Sequence, residues 1–245
     1  MKRVLPIALC IGAMLIASSA FAQAPNLDAR FALHAIPTPT GKVLPSICPP
    51  AVDSADPVTQ GIPCTNYVTA AGAASSNWVY LVLVRGEQGF NGASFGVEYQ
   101  GLYEPGYLNQ ANWSLCSDGL DFPSGSPQPE WPTSGSGMLL TWGSCPTTVV
   151  GSDGIQTAVA KFYIYGYGGG HFQITPNNTK STGVPELDLN TCGLGTTRLL
   201  VYTAESLWDG LTGRIDFGGG PGRNPCLIVP TEDTSWGRLK TLFNN

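Results

Sequence analysis

The sequence predicts an all-β fold, an antiparallel β-sandwich of about 8–10 strands with long disulfide-stapled loops and a short C-terminal helix. Three observations predict it. From residue 78 onward, apolar residues recur with a period of two in short runs separated by Gly, Pro, Ser and Asp clusters, and a helical period is almost absent. The chain holds 31 Gly and 20 Pro, well above their usual shares, which calls for many turns. Of its seven cysteines, an even set remains once Cys10 leaves with an N-terminal export signal.

Residues 1–22 read as that signal peptide. Lys2 and Arg3 supply the positive start, Val4 to Ile16 the apolar core, and Ala20-Phe21-Ala22 the small-residue cleavage signature, so the mature chain is expected to begin at Gln23. A lipidated Cys10 is disfavoured because Leu9 stands where a small residue belongs. No later stretch approaches the ~20 apolar residues of a membrane span. The expected product is soluble and exported, secreted or held at the cell surface.

Residues 23–230 are expected to form the sandwich. "RFALHAI" gives one or two edge strands, followed by a Pro-rich stretch and the small-residue spacer "TAAGAASS". "WVYLVLVRG" is continuously apolar, as in a strand buried on both faces. "ASFGVEYQG" alternates, with Phe95, Val97 and Tyr99 on one side and Ser94, Glu98 and Gln100 on the other. Strands follow at "NWSLC", "GMLLTW", "TAVAKFYIYGY", "HFQITP", "RLLVYTAE" and "GRIDFGG". The insert spanning 117–137 is too Pro-rich to be a strand and reads as a broad end loop. In the tail, 231–245, Trp236, Leu239, Leu242 and Phe243 fall at helical spacing after a Thr234 or Ser235 cap, with Arg238 and Lys240 near the end. It reads as an amphipathic helix that is either packed on the sandwich or recognised by an export or anchoring partner.

Cys48, Cys64, Cys116, Cys145, Cys192 and Cys226 are expected to form three disulfides, since no C-x-x-C pair offers a zinc site. Nearest-neighbour pairing is the first expectation, led by Cys48–Cys64, which would close a Pro-rich loop.

The chemistry is sparse. A formal charge of −5 gives no footprint for nucleic acid. Two histidines, His34 and His171, cannot build the usual catalytic zinc site, and "TSGSGM" lacks the first glycine of a nucleophile elbow. "GYGGGH" and "GGGPGR" do not match a phosphate-binding loop. Asp118, Asp121, Glu130 and Glu98 are the carboxylates from which a glycosidase pair would be drawn, but spacing selects none. "CSDGLD" and "PELDLN" are the two loops suited to a structural calcium; otherwise no cofactor is expected. Asn112-Trp-Ser and Asn177-Asn-Thr match glycosylation acceptors.

Binding surfaces remain. In 158–167, alternation places Ala158, Ala160, Phe162 and Ile164 on the core face and Lys161, Tyr163, Tyr165 and Tyr167 on the other. If "GYGGG" is a hairpin turn, Phe172 and Ile174 return inward while His171 and Gln173 join the tyrosines. These five residues, with Trp131 of the insert, are the candidate ligand-binding set, because tyrosines offer flat apolar area and a hydroxyl. The alternative is a sheet face packed under a covering loop.

"GASFGVEYQG", "WSLCSDGLDFP", "WPTSGSGMLLTW" and "CP", with the tail "TSWGRLKTLF", resemble a recurrent pattern of uncharacterised exported bacterial β-sandwich proteins. The resemblance names no activity to carry over. The sandwich is also similar at fold level to cohesin-like and carbohydrate-binding modules. The expected function is non-catalytic surface attachment or assembly, binding protein or glycan. A secreted polysaccharide-acting enzyme and a purely structural envelope component are the alternatives.

Overall fold

A computed structural model describes residues 26–38, 62–100, 109–116, 119–124, 134–146, 149–166, 168–179, 185–193, 195–200 and 210–227. They are all-β, with thirteen strands in two sheets and one short 3₁₀ turn, Cys64–Asn66. The tail helix expected over 231–245 lies outside the described residues.

The first sheet runs β1 (Arg30–Pro37), β3 (Ser76–Gly86), β9 (Gly154–Tyr165), β5 (Asn109–Leu115), with β8 (Val149–Gly151) also on β9, and every pair is antiparallel. The second is centred on β4 (Phe90–Gln100). Both β7 (Gly137–Thr141) and β11 (Leu187–Thr191) pair Ser94, and both β7 and β10 (Gly170–Thr175) pair Gly96. A strand has two edges, so β10 and β11 share one edge of β4, end to end, and β7 holds the other. β12 (Gly195–Leu200) then flanks β11, β13 (Arg214–Phe217) flanks β10, β2 (Ala70–Ala71) pairs β13 in parallel, and β6 (Leu120–Ser124) flanks β7. β10 and β11 are thus one line of strand interrupted by an excursion, closed at its base by the Asn177↔Glu186 bridge.

The inner faces share one apolar core. It takes Leu33 from β1, Leu81 from β3, Phe95 from β4, Phe162 from β9 and Phe172 from β10, all at most 1% exposed. Rings meet across the gap: Phe162 to Phe172 at 5.0 Å and Phe31 to Phe95 at 5.8 Å. The continuous apolar run of β3 is explained by a second cluster on its other face, where Trp78, Tyr80, Val82 and Val84 lie under a cover formed by residues 62–69 and 224–227. Tyr67 Oη donates to Gln156 Oε1 (3.1 Å), and the Val68 amide donates to His34 Nδ1 (2.9 Å).

Several expectations need correction. "KFYIYGYGGGHFQITP" is no hairpin: β9 lies in the first sheet and β10 in the second, so the glycine run crosses between sheets. Ala158 belongs to the outer cluster rather than the core, because a register shift on β9 turns Val159 inward in its place. The Pro-rich insert contains a strand, β6, whose Pro123 is tolerated because, among the described residues, β6 pairs on one side only. "PELDLN" is not a calcium loop but the start of β11. Disulfides join Cys64 to Cys226 and Cys145 to Cys192, not Cys64 to Cys48. Cys116 is disulfide-bonded as well.

Candidate functional site

The sequence-derived binding residues do not form one face. Tyr163 is half-buried on the outer face of the first sheet, edge-on to Trp78 at 5.3 Å and packed against the covered cluster. Its neighbour Lys161 is buried, with Nζ 5.0 Å from the centre of the Trp78 ring, and burial lowers its pKa. Tyr165 ends β9; Tyr167 and Trp131 lie outside the described residues.

His171 and Gln173 stand instead on the outer face of the second sheet, across from Asp216 and Glu98 respectively. Gln173, 2% exposed, donates to Glu98 Oε2 (3.3 Å) and accepts from Arg223 (3.4 Å). Arg214 grips Asp216 through two N–H groups (2.6 and 2.9 Å), and the Gly222 amide donates to the same carboxylate (3.2 Å). Burial and then Arg214 lower the pKa of His171, against the opposing pull of Glu98 and Asp216. The imidazole is therefore neutral near pH 7, and its buried Nε2 has no hydrogen-bond partner among the described residues, beside a network in which Glu98, Gln173, Arg223, Arg214 and Asp216 are hydrogen-bonded.

The other half of this face carries a feature that sequence reasoning missed, a groove of about 320 Å³. Strand register builds it. Leu120, Thr141, Gly92, Asn190 and Thr196 form one rung across β6, β7, β4, β11 and β12, and Phe122, Leu139, Ser94, Asp188 and Arg198 form the next. Cross-strand partners share a face, and Ala93 and Leu140 between them point into the core, so Leu120, Thr141, Asn190 and Thr196 on the first rung and Phe122, Leu139, Ser94 and Asp188 on the second face outward. Gly92 leaves a dip mid-rung: a Cβ there would approach the Asn190 Cβ to 3.0 Å and the Leu140 carbonyl to 3.2 Å.

The walls differ. On the β6–β7 side Leu120, Phe122 and Leu139 are 61%, 48% and 44% exposed, an apolar shelf. On the β11–β12 side Asn190 Nδ2 donates to Asn91 Oδ1 (2.8 Å) and its Oδ1 accepts from Thr196 Oγ1 (3.4 Å), which fixes the amide. Asp188 and Ser94 are buried in the floor, with Ser94 Oγ accepting from Asn177 Nδ2 (3.2 Å). One end is stapled: Cys145 follows β7, Cys192 follows β11, and their disulfide ties the strands that flank β4. The only signal for this site in the sequence was the pairing of polar outward positions with a glycine, which requires the register to be known.

Asn177 is 1% exposed, and its Oδ1 accepts from the Thr179 amide and hydroxyl (3.1 and 2.8 Å), so this glycosylation motif is spent inside the fold. Asp121 lies on β6, whereas Asp118 and Glu130 fall outside the described residues. Among the described residues no cluster of three His, Cys, Asp or Glu is placed to hold a metal, and no helix is long and apolar enough to cross a membrane. No family model, curated protein or solved structure matches the chain.

Proposed function

We propose that this chain is an exported, non-catalytic β-sandwich protein of surface attachment or assembly, which holds a glycan in the groove of its second sheet. The observation that carries this reading is the groove itself: a concave strip on a sheet face with an apolar shelf on one side and fixed amide and hydroxyl groups on the other. That pairing suits sugars, which present C–H surface and hydroxyls together. Its volume is at the low end of the ~300–1,000 Å³ typical of small-molecule sites, enough for a short stretch of a longer chain. The disulfides accord with an oxidising compartment. The test is a glycan array probed with the purified chain and with Phe122→Ala and Asn190→Ala, both expected to weaken whichever signal is found. Silence of the unchanged protein across the array would sink the proposal.

The neighbouring Glu98, His171 and Asp216 favour a second reading, an enzyme acting on polysaccharide. Hydrolysis of a polysaccharide panel that disappears in Glu98→Gln would establish it.

A further inference from the structure

Building on that reading, we infer that the groove takes an uncharged, hydroxyl-rich chain laid across the strands, and that it turns acidic glycans away. The direction follows from the register. The rungs cross five neighbouring strands, from Leu120 and Phe122 on β6 to Thr196 on β12, a path of about 19 Å at ~4.8 Å per strand. Gly92 lowers the middle of that path. A peptide is a poor occupant, because extended peptides gain their main-chain hydrogen bonds at a free sheet edge, and β4 at the centre of the path is paired on both sides.

The chemistry sets the class. The polar groups that reach the surface, Thr141, Asn190 and Thr196, are neutral, and Asn190 is fixed before any ligand arrives, which lowers the ordering cost of binding. Among the described residues lining the groove none is Lys or Arg, and the one that carries a charge is the carboxylate of Asp188, in the floor. The chain as a whole carries −5. A polymer with a carboxylate on every sugar would approach a like-charged protein and meet no Lys or Arg among the described residues lining the groove.

Titration calorimetry of the full exported chain with a linear β-1,4-glucan hexasaccharide and with a galacturonic acid hexasaccharide tests this. The neutral hexamer is expected to bind, with the acidic one at least tenfold weaker, and Phe122→Ala and Asn190→Ala should each cost the neutral hexamer roughly fivefold to tenfold. Thr196→Lys, on the exposed rim, is expected to raise affinity for the acidic hexamer several-fold at low salt and to lose the gain at high salt. Equal binding of both hexamers by the unchanged protein, or neutral binding indifferent to Phe122→Ala and Asn190→Ala, overturns the inference. If neither hexamer binds and the array is also silent, the glycan reading fails with it; array binding of acidic glycans alone overturns only the selectivity.

Discussion

His34 carries its imidazole into the cover over the first sheet, where Nδ1 accepts from the Val68 amide and the ring lies 5.2 Å from Tyr67. Burial lowers its pKa from 6.5 to about 4. The neutral form is therefore the one that fits. The contribution of His34 to stability is complete above pH 6.5 and is lost as pH falls from 6.5 toward 4, a loss of about 3 kcal/mol across that window. His171, also shifted downward, adds a loss of the same sign. Thermal melts between pH 7 and pH 4 should show a falling Tm, flattened in His34→Gln, which keeps an acceptor without titrating there. The residue scale also shows what a sequence motif leaves open. Asn177 matched a glycosylation acceptor, yet its amide is buried beside Gly137, Ser94 and Met138. Burial is set by the packing of Asn177 against Ser94 of β4 and Gly137 and Met138 of β7, and nothing local encodes that.

At the scale of elements, alternation was a sound guide to faces and a poor one to partners. Phe95, Val97, Phe162, Ile164, Phe172 and Ile174 all point into the core as their spacing predicts. What the period could not say was that Phe162 and Phe172 belong to different sheets and meet across the interior. The glycine run between them fits a tight turn and a crossover equally well. Likewise β6 was hidden by Pro123, because an edge strand tolerates a proline that a central one does not. Phe162 packs against Phe172 at 5.0 Å and Trp113 at 6.4 Å, and so ties three strands. Phe162→Ala is expected to destabilise by about 3–5 kcal/mol in urea unfolding. A cost below 1 kcal/mol would mean that the two sheets do not share this contact.

For the whole molecule, the all-β class, the wet and dry faces and the use of cysteine were legible, whereas disulfide connectivity and the groove were not. Both depend on contacts distant in sequence. Cys64 and Cys226 are 162 positions apart, Cys145 and Cys192 are 47 apart, and nothing near any of them names its partner. In the chain-entropy model, closing loops of those lengths stabilises by about 5 and 4 kcal/mol taken separately. Non-reducing peptide mapping should recover these two links, and a Cys48–Cys64 peptide would contradict them. The groove likewise exists only once β7, β4, β11 and β12 are in register, with the Cys145–Cys192 link holding its two walls. The most direct measurement is a backbone amide NMR titration of the isotope-labelled chain with the neutral hexasaccharide. The account predicts shifts concentrated at Gly92, Thr141, Asn190 and Thr196, with Tyr163 and His171 undisturbed; shifts centred on Tyr163 or His171, or none anywhere, would contradict it.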